Sequence, residues 1–136
     1  MNLSVIVPKF YARLLCLFLV IGATIAQGSV KSYQKDQRGV SFILDKGIMR
    51  LNICRADIVE VKYTIFNAFE KKASLVVNNT WQVPAGFSVS EGKGNVVITT
   101  SKLKILVNKS TNAISYTDLK GREIAAEDQE ESKTIT

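Results

Sequence analysis

The chain has 136 residues, 46% of them hydrophobic, with 18 basic against 12 acidic side chains for a net charge of +6. It contains no histidine, which excludes serine and cysteine triads of the usual type, zinc sites built on imidazole, and most acid–base pairs that work near neutral pH. The basic residues are scattered along alternating segments, not gathered into a patch, and this argues against a nucleic-acid partner.

Residues 1–26 read as a signal-peptide helix. Lys9 and Arg13 precede an apolar run over 14–25, and Thr24-Ile25-Ala26 offers a small-residue cleavage site. The run is short for a membrane span. Cleavage after Ala26, export to a bacterial periplasm or the extracellular space, and no stable membrane insertion afterwards are therefore expected. An uncleaved anchor is the competing reading. Cys16 lacks the small residues before it that a lipoprotein site requires. After cleavage Cys54 is the one cysteine left, so no internal disulfide can form. That suits a periplasm better than an animal secretory pathway.

Residues 27–39 are polar and read as an arm leading into the first strand. The stretch 40–66 then alternates with a period of two. Val40, Phe42 and Leu44 form one apolar set, Met49, Leu51 and Ile53 a second, and Val59, Val61, Tyr63 and Ile65 a third. Such spacing places each set on one face of an extended strand. Asp45-Lys46-Gly47 and Arg55-Ala56-Asp57 supply the turns, Gly47 being able to take a positive φ. The result is an antiparallel meander with one apolar side that the rest of the chain must cover.

Residues 73–77 suggest a short edge strand, and 81–86 a crossover, since Pro84 cannot sit in a central strand. Trp81, the only tryptophan, and the nearby Phe87 are the candidate sugar-stacking residues. A lone ring in a crossover more often plugs the end of a core. Further strands are expected from Phe87, through Val96, Ile98 and Thr100, through Leu103, Ile105 and Val107, and at Ile114 and Tyr116. Turns fall at 91–95, 108–112 and 118–121, and a last short segment includes Ile124. Short strands with turns every eight to twelve residues describe an all-β antiparallel sandwich or barrel. Its core should contain Leu51, Ile53, Val61, Tyr63, Ile98, Ile105 and Ile114. Residues 127–136 form a polar tail, read as a linker or as a strand without its partners.

Little here resembles a reactive constellation. Cys54 has no histidine partner and reads as an inert, half-buried thiol. Asp45, Asp57 and Asp118 sit in turns, where aspartate bonds its own backbone. No spacing singles out the facing carboxylates a glycosidase needs. The acidic run Glu127, Asp128, Glu130 and Glu131 lacks the framing of a calcium loop. No catalytic residue, metal ligand or cofactor site is expected. Asn78 and Asn108 match the glycosylation pattern and are read as turn asparagines.

Two runs, GVSFILDKGIMRLNICRADIVEVKYT and FSVSEGKGNVVITTSKLKILVNKSTNAISYTDLKGREI, resemble the N-terminal domain of glycoside hydrolase family 31, which includes α-glucosidases and α-xylosidases. The resemblance covers roughly residues 40–126 and rests on fold-type motifs: hydrophobic spacing, Thr99-Thr100, and Asp118 with Gly121. It implies a galactose-mutarotase-like β-sandwich, incomplete here, that packs on a (β/α)₈ barrel in a full enzyme. The family's nucleophile and acid/base aspartates lie on that barrel, so no position of this chain matches them. Mutarotase chemistry, which uses histidine acids, is excluded as well. The expected function is a non-catalytic module supporting an absent barrel. The alternatives are a free-standing carbohydrate-binding module using Trp81 and Phe87, or an exported sandwich that binds protein through a strand edge.

Overall fold

The computed structural model describes residues 28–70, 81 and 83–129. The signal-peptide reading, the strand suggested at 73–77, Asn78 and the far end of the tail lie outside them. The described residues form nine strands and no helix: β1 Val30–Lys35, β2 Gly39–Leu44, β3 Ile48–Arg55, β4 Ile58–Thr64, β5 Ser88–Glu91, β6 Asn95–Thr99, β7 Leu103–Asn108, β8 Ile114–Asp118 and β9 Glu123–Ala126.

They pair into two sheets, β1-β2-β3-β4 and β5-β6-β7-β8-β9, each a meander in which every neighbour is the next strand in sequence. All pairs are antiparallel. Directly opposed residues share a face, so the register lines up the apolar sets. Val40 faces Leu51 and Phe42 faces Met49 in the first sheet, while Ile98 faces Ile105 and Val107 faces Ile114 in the second. The two apolar faces meet in one core of Val40, Phe42, Leu44, Met49, Leu51, Ile53, Val96, Ile98, Ile105, Val107 and Ile114. The expectation of an all-β sandwich is borne out.

Two features differ from the sequence reading. Residues 30–35, part of what reads as a polar arm, form β1, with Val30 opposite Leu44 and Tyr33 opposite Phe42. A bulge between Val30 and Ser32 absorbs one residue. Two core-facing side chains therefore sit three apart, and the period of two is hidden. The second difference concerns the core itself. Leu51, Ile53, Ile98, Ile105 and Ile114 are buried, but Val61 remains 36% exposed and Tyr63 is only partly buried. Val61 points to the core side, opposite Leu51, yet among the described residues β4 ends its sheet and the second sheet does not close over it.

The sheets are tied together at both ends. At one end, Thr100 Oγ1 donates to Ala56 O (2.6 Å) and accepts the amides of Lys102 and Leu103, while Lys102 Nζ meets Asp57 (2.9 Å). The buried hydroxyl thus shapes the β6–β7 turn and holds the β3–β4 turn against it. At the other end, Val30 N donates to Lys109 O (2.8 Å) and Asn112 Nδ2 to Gly28 O (2.8 Å). Asn112 sits at φ 55°, in the left-handed region that asparagine tolerates. The tail also begins in contact with the fold: Glu127 N donates to Ile114 O, and its carboxylate accepts Ile114 N.

Candidate functional site

The two residues expected to stack on sugar occupy different settings. Phe87 precedes β5 and packs against the core, with Lys35 Nζ lying 4.9 Å over its ring. The ring is only partly buried there, so the core and the lysine each take part of its surface. Trp81 is half-buried, and its carbonyl accepts Arg38 Nη1 (3.4 Å). Both residues are therefore fastened to the β1–β2 hairpin, through Arg38 and Lys35. The structure does not stack them: among the described residues the ring pair is Tyr33 with Phe42, 6.0 Å apart and tilted by 37°.

A cleft opens where β1 passes the β5–β6 hairpin. It encloses about 440 Å³ and is lined by Val30, Lys31, Ser32, Tyr33, Glu91, Val96 and Lys109. Glu91 is central to it. Its parity along β5 matches the core-facing Val89, and it pairs with Val96, so a carboxylate is directed between the sheets at their margin. Its side chain stays 51% exposed there. Lys109 Nζ bonds it directly, and the Tyr33 hydroxyl donates to it at 3.3 Å. The Lys109 hydrogen bond, then its charge, hold the Glu91 carboxyl below the usual carboxylate range. The sequence signal for this cluster was a charged residue at an inward position. Its partners come from β1 and the loop after β7, too distant in sequence for local spacing to reveal.

A second polar cluster covers the outer face of the first sheet. Arg50 donates through Nη1 and Nη2 to both oxygens of Asp36 (2.7 and 2.9 Å), through Nε to Asn52 Oδ1, and to Ser41 Oγ. Asn52 Nδ2 in turn donates to Glu60 Oε2 (2.7 Å), and Lys62 meets Glu60 at 3.4 Å. The forked contact lowers the Asp36 pKa from 3.8 to about 2. A depressed pKa contributes stability above the unfolded value, lost as pH falls through the folded one. Unfolding midpoints in urea at pH 5 and pH 2.5 should therefore fall less in Arg50→Ala than in the parent. An equal fall in both would show that Asp36 does not carry this part of the acid response.

These groups can hold polar ligands or neighbouring surfaces, but they are poorly placed for hydrolysis. A glycosidase acid must retain its proton near neutral pH. Among the described residues, the carboxylates whose pKa moves all move downward: Asp36 beside Arg50, Asp45 beside Ser29 and Lys31, Asp57 beside Lys102, Glu91 beside Lys109, and Asp118 with its amide and guanidinium contacts to Arg122. Burial pushes the Cys54 thiol up, away from the reactive thiolate. No cluster of three or more acidic or thiol ligands able to hold a metal occurs among the described residues.

No family model matches the sequence, and no curated protein does. Solved structures do share the fold. A glycoside hydrolase family 31 dextranase from Flavobacterium johnsoniae, complexed with isomaltotriose, superposes with a TM-score of 0.64 at 21% identity, over 71% of this chain and 12% of that one. A family 31 α-xylosidase from Xanthomonas citri gives 0.57 at 22% identity, over 68% and 10%. An uncharacterised protein from Listeria monocytogenes, in complex with α- and β-D-glucose, magnesium and calcium, gives 0.61 at 16% identity, over 76% and 9%. The chain thus spans about a tenth of the length of the structures it matches. The first two belong to the family whose N-terminal domain the sequence resembles.

Proposed function

We propose that this chain is a non-catalytic β-sandwich module of a family 31 α-glycosidase, exported from a bacterial cell, whose role is to pack against and support a catalytic barrel. The observation that carries this reading is the scale of the structural likeness. About seven-tenths of the chain superposes on family 31 enzymes, yet it accounts for only about a tenth of each. The lowered carboxylate pKa values support the non-catalytic part, because none of these groups is poised to protonate a leaving group. The module's contribution would be to hold other residues in position, an effect that needs a stable scaffold and no reactive group of its own. A carbohydrate-binding role through Trp81 and Phe87 has weaker support, since the Phe87 ring is committed to the core and Lys35.

The purified full chain should hydrolyse neither aryl α-glucosides nor aryl α-xylosides above the uncatalysed rate. Turnover that survives repurification would overturn the non-catalytic reading. Sequencing the DNA beyond the Thr136 codon tests the other half. A barrel-coding sequence there, in any frame, is the expected result, and unrelated sequence would count against the module.

A further inference from the structure

We infer that the cleft between β1 and the β5–β6 hairpin binds a small neutral ligand with adjacent hydroxyl groups, of the size of a single pyranose, through Glu91, Lys109 and Tyr33. Such binding is independent of the barrel-supporting role, because the cleft is lined by residues of the two sheets and their loops alone. At about 440 Å³ it falls within the range of small-molecule sites. Its walls are fixed before any ligand arrives. Val30 N donates to Lys109 O, Lys109 N to Gly94 O and Gly92 N to Asn95 O, each at 2.8 Å. These bonds tie β1, the β5–β6 turn and the loop after β7 together through their backbones. The bulge between Val30 and Ser32 brings Tyr33 round to the core side, where its ring lies against Phe42. Re-aiming a side chain is a common role of a bulge. A site held in this way has little ordering left to do when it binds.

The charges select the ligand. Lys31, Glu91 and Lys109 line the cleft, and each has its counter-charge: Lys31 meets Asp45 at 3.2 Å, and Lys109 bonds Glu91. An anion drawn to the ammonium groups would sit beside Glu91, and a cation drawn to Glu91 would meet two lysines. Either sets a repulsion against its attraction at similar range. A hydroxyl meets no such conflict, since it both donates and accepts. The Glu91 carboxylate has more acceptor sites than the two taken by Lys109 and the Tyr33 hydroxyl, and the Lys109 ammonium has more donors than the one spent on Glu91. The pair thus sets an acceptor and a donor side by side. Of two neighbouring hydroxyls, one can donate to Glu91 and the other accept from Lys109 without parting the two charges. Val30 and Val96 also line the cleft, the first packed on the apolar core and the second part of it. They give it a base suited to the C–H groups of a saturated ring.

The test is a titration of the isotope-labelled full chain with D-glucose, D-galactose and D-xylose in turn, followed by amide shifts in NMR. At least one sugar should give saturable shifts centred on Ser32, Tyr33, Glu91 and Lys109, with a Kd on the order of 1 mM to 10 mM. Tetrahydropyran, the same ring without hydroxyls, and sodium phosphate should each bind at least about tenfold more weakly. Glu91→Ala should weaken the sugar at least about tenfold, whereas Trp81→Ala should leave its Kd within about twofold. In the parent protein alone, no shifts with any of the three sugars, shifts spread evenly over the surface, or shifts centred on Trp81 overturn the proposal. Phosphate or tetrahydropyran binding as well as the sugar would also defeat it, since the first marks a charge site and the second an apolar one. So would Glu91→Ala that keeps a dispersed spectrum and binds the sugar as the parent does.

Discussion

Phe42→Ala should lower the unfolding free energy by about 3–5 kcal/mol, the range for truncating a fully buried aromatic ring. Phe42 is 0% exposed in the middle of β2. Its ring touches Tyr33 on the neighbouring strand, and Met49 stands opposite on the other side. Removing it leaves a void bounded by both sheets, which close packing cannot collapse without moving strands. Val61→Ala, on the same side of the same sheet, should cost less than about half as much, because water already reaches that side chain. Chemical denaturation of the three proteins measures the contrast. Equal losses at Phe42 and Val61 would mean that β4 is covered in solution.

Gly39→Ala should be nearly as damaging although it adds a single methyl group. The added carbon would lie 1.9 Å from Leu51 O and 2.9 Å from the Leu51 carbonyl carbon, where backbone cannot yield as a flexible side chain would. Gly39 opens β2 opposite Asn52, and two amides there, Gly39 N and Arg38 N, bond the Asp36 carboxylate. Spreading β2 from β3 would break these contacts and the start of the ladder. A loss of at least about 2 kcal/mol is expected. Gly47→Ala meets a similar obstacle, Thr64 O at 1.9 Å, and adds the strain of a positive φ of 88°. Unfolding midpoints close to the parent's for Gly39→Ala would show that the strands separate more easily than this geometry implies.

The strands from β2 to β4 and from β6 to β8 were legible because alternation and turn residues agree along them. Gly47 does take the positive φ its turn needs, and Asp118 does accept the amides of Lys120 and Arg122. Asn108 acts as a turn residue as well, its side-chain oxygen accepting the amides of Ser110 and Thr111. Asp57 bonds its own backbone and also reaches across to Lys102 on the other sheet, whereas Asp45 departs from the pattern, its carboxylate being held by Ser29 and Lys31. β1 escaped notice because its bulge shifts Tyr33 out of phase with Val30. The face of Val61 was readable, but its exposure was not, because alternation says which way a side chain points and nothing about how far the opposing sheet extends. The grouping of Tyr33, Glu91 and Lys109 depends on how the two sheets dock. That information is spread over most of the folded sequence and is absent from any local window.

Because each sheet is a run of consecutive hairpins, the fold separates into two halves that coincide with two halves of the chain. A single covalent connection, from the end of β4 to the start of β5, joins them. Pairing within each half closes only short loops, whereas joining the halves is one long-range event that buries both apolar faces together. Assembly is thus divided into local zippering and a single docking step. A backbone break in the connection would leave both sheets with all their described strands and turn the last step into an association between two fragments, its strength set by the shared core and the ties at Thr100 and Val30.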